Sequence, residues 1–139
     1  MINESFLTSI RKIESTSDPS LLEEYSNHGN WLIRHAVICN NHTSPETLEK
    51  ISKSNKNLLF NIIKNTNCPP HILENFQETE DINILCCLLR NPALPLSVLE
   101  SILSKISVYE LFDKTILKLI LEHPNTSDEI KMYMKFLID

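Results

Sequence analysis

A chain of 139 residues, 42% hydrophobic and 22% charged, is long enough for one packed core and too apolar for wholesale disorder. Its single glycine, Gly29, excludes phosphate-cradling and dinucleotide-binding loops and argues against an all-β fold, because each needs backbone that a Cβ obstructs. The net charge of −5 resides wholly in residues 71–139, with eleven acidic against six basic residues, so nonspecific binding to phosphate backbones is disfavoured.

The start of the chain, Met1-Ile2-Asn3-Glu4-Ser5-Phe6, has an early acid and no basic stretch leading into an apolar one, so no signal peptide is expected. The longest apolar run, Ile84 to Leu89, is far too short to span a membrane. A cytoplasmic location follows as the expectation, with Cys39, Cys68, Cys86 and Cys87 as core-filling thiols.

Helical segments then recur in pairs. Residues 33–40 (Ile-Arg-His-Ala-Val-Ile-Cys-Asn), 58–65 (Leu-Leu-Phe-Asn-Ile-Ile-Lys-Asn) and 84–91 (Ile-Leu-Cys-Cys-Leu-Leu-Arg-Asn) each end on an asparagine. Eight residues after each asparagine comes a leucine (Leu48, Leu73, Leu99) that opens a second apolar segment. Both sets recur at 25 and 26 residues. Upstream, Asp18 to Glu23 matches the second segment; downstream, Ile116 to His123 matches the first, with His123 in the asparagine's place. This periodicity predicts an all-α solenoid of about five helix-pair repeats in one domain, 1–139, with units near 1–27, 28–53, 54–79, 80–105 and 106–139. The last interval is stretched through Lys105 to Asp113, as suits a terminal cap.

Within a unit, the third residue before the asparagine (Val37, Ile62, Leu88, Ile120) and the seventh (Ile33, Leu58, Ile84, Ile116) form one buried stripe. The second helices start with Asp18-Pro19, Ser44-Pro45 and Thr126-Ser127-Asp128, where a side chain can cap free N–H groups; Pro69-Pro70 and Leu94-Pro95 lack that cap. Asn40, Asn65 and Asn91 read as turn locks, whose amides satisfy a carbonyl and an N–H after the helix, with left-handed backbone at the cap.

The pattern in Ile33-Arg34-His35-Ala36-Val37-Ile38-Cys39-Asn40 and in Asn91-Pro92-Ala93-Leu94-Pro95 resembles the leucine-rich-repeat variant family, bacterial α-solenoids related in shape to HEAT repeats. The resemblance covers roughly residues 15–133 and implies a right-handed stack of short helix pairs, some of them 3₁₀. The period is slightly longer than the family's, and the iron–sulfur cysteine cluster of some members has no counterpart. No metal and no cofactor are expected. The family supplies a fold and no reaction.

Chemistry is sparse. No nucleophile motif and no acid–base constellation is visible, so no enzyme is expected. Acids cluster at Glu74, Glu78, Glu80 and Asp81, the candidate surface for a basic protein partner. An alternative concave face would hold Trp31, Arg34, His35, Phe60, Lys64, Arg90 and Lys118, a short basic row with aromatic neighbours. Three or four cations hold a duplex weakly against the acidic background, which makes nucleic acid the weaker alternative. The leading expectation is a small cytoplasmic inhibitor or immunity protein that neutralises a toxin, of basic nuclease type, by direct binding. A structural subunit or adaptor of a larger assembly is the third alternative.

Overall fold

A computed structural model describes residues 5–106 and 114–138, and every regular element among them is helical. The helices are α1 (Phe6–Ser15), α2 (Pro19–Ser26), α3 (Trp31–Cys39), α4 (Pro45–Ser54), α5 (Leu59–Ile62) after a 3₁₀ turn (Lys56–Leu58), α6 (Pro70–Glu74), α7 (Ile82–Arg90), α8 (Leu96–Ile106), α9 (Lys114–Glu122) and α10 (Asp128–Ile138). Contacts divide the chain into two compact units, Met1–Pro69 and Pro70–Asp139. The division falls inside the third expected repeat, 54–79, rather than at a repeat boundary. Most of the stretched interval from Lys105 to Asp113 lies outside the described residues.

Local sequence sets the helix starts. Asp18 and Ser44 accept hydrogen bonds from the N–H groups of Ser20 and Thr47, with Pro19 and Pro45 at the first helical position. Ser5, Asn30 and Asp81 cap α1, α3 and α7 in the same manner, and the Ser127 hydroxyl accepts from the Ile130 N–H. Each such cap is worth about 0.5–2 kcal/mol, so the starts are specified before any packing.

The apolar columns then bury. Val37, Ile62, Leu88 and Ile120 are fully inaccessible, and Ile33, Leu58 and Ile116 are buried; Ile84 alone in these columns is half-buried. From the second helices come Leu22, Leu48, Leu73 and Leu99, all fully buried. In the first unit α3 packs on α1, α2 and α5; in the second, α9 packs on α7 and α10.

The asparagines do more than lock a turn. Asn40 and Asn91 end their helices in extended backbone, φ −86° with ψ 124° and 112°, and no described residue has positive φ. The left-handed cap expected from sequence is therefore not used. Instead the Oδ1 of Asn40, Asn65 and Asn91 accepts the N–H two residues on, at 2.8, 2.8 and 2.9 Å. The amide nitrogen reaches backward: Asn40 donates to the carbonyls of Ile13 and Thr16, and Asn65 to those of Ile38 and Asn40, all within 3.0 Å. Those carbonyls end α1 and α3, where no intrahelical donor remains. Asn40 and Asn65 thus cap the C-termini of α1 and α3, each one unit earlier than the asparagine itself.

His123 fills the same role with a different ring. Its Nδ1 accepts from the Asn125 N–H at 3.1 Å, and its Nε2 donates to the Asn91 carbonyl at 2.9 Å. These two roles assign the neutral tautomer with hydrogen on Nε2. A second rung, not anticipated from sequence, lies two residues further on. Asn67 donates to the carbonyls of Asn41 and Thr43, and Asn125 to that of Leu94. Thr43 and Thr126 complete the turn by donating to the Val37 and Ile120 carbonyls, each at 2.6 Å. The signal was an asparagine two positions after Asn65 and His123, and a threonine three positions after Asn40 and His123.

Candidate functional site

In the first unit, α1 and α3 lie side by side and leave an open groove of about 650 Å³. Phe6, Ile10, Leu32 and Ala36 supply its apolar lining, at helical spacing along the two helices. Glu14, His35, Cys39 and His42 stand among the polar lining. Phe6 and Leu32 are 43% and 41% exposed, so large apolar side chains sit at the rim, open to solvent. On α3, Ile33 and Val37 are buried inward while Leu32, one residue from Ile33, turns to the rim; Phe6 stands two turns before buried Ile13, as the first residue of α1.

Next to the groove stands a cluster from α3 and the end of α5. The Cys39 sulfur lies 3.9 Å from both His35 ring nitrogens. Burial of the thiol group pushes the Cys39 pKa up, and the Lys64 ammonium opposes that only partly. The thiolate is therefore disfavoured. Lys64 also sits 4.4 Å from the centroid of the Phe60 ring. Deep in the same unit, burial alone pushes the Cys68 thiol up to about 12.

The basic row of the sequence reading divides between the two units. In the first, Trp31 is 54% exposed, Phe60 is exposed beneath Lys64, and the Arg34 guanidinium donates to the His28 carbonyl at 2.7 Å, so its charge is partly engaged locally. In the second, Arg90 and Lys118 are exposed on the neighbouring helices α7 and α9. The first unit holds the concentration: Arg11, Lys12, Arg34, Lys56 and Lys64 belong to α1, α3 and the segment around α5, against Glu14 as their one acid.

The acidic loop has mixed roles. Glu74 and Glu80 are exposed. Glu78 pairs with Lys105 at 3.1 Å, and the same ammonium donates to the Gln77 carbonyl at 2.8 Å. Asp81 accepts the Asn83 N–H at 2.9 Å as the cap of α7, so it serves the fold as well as the surface charge. Among the described residues no three His, Cys, Asp or Glu side chains converge as a metal site, and no helix is long and apolar enough to cross a membrane. Comparison with protein-family models, with curated proteins and with solved structures finds no match.

Proposed function

We propose that the chain is a non-catalytic protein-binding module, an α-solenoid of about five helix pairs, that acts by occupying a single partner. The groove between α1 and α3 supports this reading: an open channel rimmed by Phe6 and Leu32 fits apolar side chains of another chain better than an enclosed small molecule. Buried aliphatic and aromatic anchors carry most of the energy in protein interfaces, and the polar residues along the groove fix register. In its finer form the function is that of a toxin-neutralising inhibitor, an immunity protein. The −5 charge supports this form, because an acidic binder draws a basic partner by faster association.

The test is retention of a stoichiometric partner by immobilised chain, compared with Leu32→Glu and Phe6→Glu. Both positions are rim residues, so circular dichroism should stay helical while the partner is lost. Retention of the partner by both variants would refute the groove as the binding surface. The cations of α1, α3 and the α5 segment favour a second reading, nucleic-acid binding. That reading requires oligonucleotide affinity that falls steeply with salt and drops further in Lys64→Glu.

A further inference from the structure

The last helix, α10, carries a surface that the other second helices lack. Leu22, Leu48, Leu73, Leu99 and Lys131 occupy equivalent places in α2, α4, α6, α8 and α10, since Ser127 caps α10 as Ser44 caps α4. One residue after each leucine stand Glu23, Glu49, Glu74 and Glu100, two after stand Glu24, Lys50, Asn75 and Ser101, and five after stand Asn27, Lys53, Glu78 and Ser104. All twelve are polar. In the last unit these places hold Met132, Tyr133 and Phe136, 74%, 56% and 82% exposed. The place three residues after each leucine, held by Tyr25, Ile51 and Ile102, is Met134 in α10, buried like them. Glu129, Met132, Tyr133 and Phe136 follow the i, i+3, i+4, i+7 spacing of a single helix face. The opposite side of α10 buries Met134 and packs on α9. One helix is thus apolar on two faces, one covered and one bare.

We propose that a second copy of the chain covers this bare face, α10 against α10 in antiparallel array. Its charge pattern favours that occupant. Asp128 and Glu129 lie before the apolar residues and Lys135 lies among the last of them, all exposed. An antiparallel two-fold pairing centred near Met132 and Tyr133 sets the acids of each copy beside Lys135 of the other, twice over. It also opposes the two helix dipoles. A parallel pairing would set acid on acid and lysine on lysine. A single helix pair buries less than a standard interface of about 1,600 Å², so the dimer forms reversibly with concentration.

Sedimentation velocity across a wide concentration range tests this with the full chain. The wild type should move from one chain toward two. Phe136→Ser and Met132→Ser should each weaken the dimer roughly tenfold or more while circular dichroism is unchanged, since both side chains are exposed in the single chain. Lys135→Glu should weaken it as well, and Glu129→Lys combined with Lys135→Glu should recover most of the loss. A chain monomeric at every concentration overturns the proposal, as does a dimer indifferent to Phe136→Ser. Failure of the paired swap to recover association overturns the antiparallel arrangement. A monomeric wild type that binds a different protein through Phe136 assigns the patch to that partner instead.

Discussion

Asn65 makes two backward bonds, to the Ile38 and Asn40 carbonyls, and accepts a third from the Asn67 N–H, all while buried. Truncation leaves buried polar groups unpaired, so Asn65→Ala should lower stability by about 1–3 kcal/mol in urea unfolding. Asn41 is exposed and enters the ladder through its backbone carbonyl, so Asn41→Ala should change stability by less than about 0.5 kcal/mol. His123 performs the amide's two tasks with a ring, and His123→Asn should therefore retain more stability than His123→Ala. Equal losses in the two variants would show that the hydrogen bonds do not hold the turn. Cys68 gives a prediction in pH. Its thiol is raised from 9.0 to about 12 by burial, so the folded state keeps its proton where the unfolded chain has lost it. The associated stability is fully present below pH 9.0 and is lost as pH rises toward 12, at up to about 1.4 kcal/mol per pH unit. Stability measured in that window should fall less steeply for Cys68→Ala than for the wild type.

At the scale of elements, short helices depend on their ends. A helix of nine residues such as α7 is marginal in isolation, and its cap and packing decide whether it forms. Asp81→Ala should cost about 0.5–2 kcal/mol, whereas the exposed neighbour Glu80→Ala should cost little, which chemical denaturation of the two variants will separate. The contrast also sorts the acidic loop. Charge reversal at Glu74 and Glu80 probes partner attraction cleanly; reversal at Asp81 perturbs α7 at the same time. The Glu78–Lys105 pair is solvent-exposed on the glutamate side and contributes at most about 1 kcal/mol. Starts capped by Asp18, Ser44 and Ser127 were legible because the capping side chain acts on its own neighbours; the Asp81 cap of α7 was not, reading in sequence only as loop charge. The 3₁₀ turn at Lys56–Leu58, which shortens α5 to Leu59–Ile62, has no such local mark.

For the whole molecule, charge and apolar surface are distributed unequally. The first unit is neutral in sum, yet its α1, α3 and α5 segments carry five cations and one acid, while α2 and α4 carry Glu23, Glu24, Glu46 and Glu49 against Lys50 and Lys53. A basic partner should therefore associate more slowly with Glu74→Lys/Glu80→Lys, and its rate should depend less on salt. Stopped-flow association at two ionic strengths measures both. An increase in rate would show that the partner is acidic and meets the cations around Lys64.

What the sequence determined by itself was everything with a local or periodic cause. Helix content, the buried columns through Val37 and Leu88, the proline-marked starts and the asparagine column follow from spacings of three to eight residues repeated at 25 and 26. Tertiary structure decided where the asparagine amides point, because carbonyls freed at the end of α1 become their acceptors only after α3 packs beside it. It decided the groove for the same reason: Phe6 and Leu32 are 26 residues apart in sequence, and only the packing of α1 on α3 leaves both at one rim. Neither helix alone contains that surface, since a groove is a property of the distance between elements and not of the residues in either.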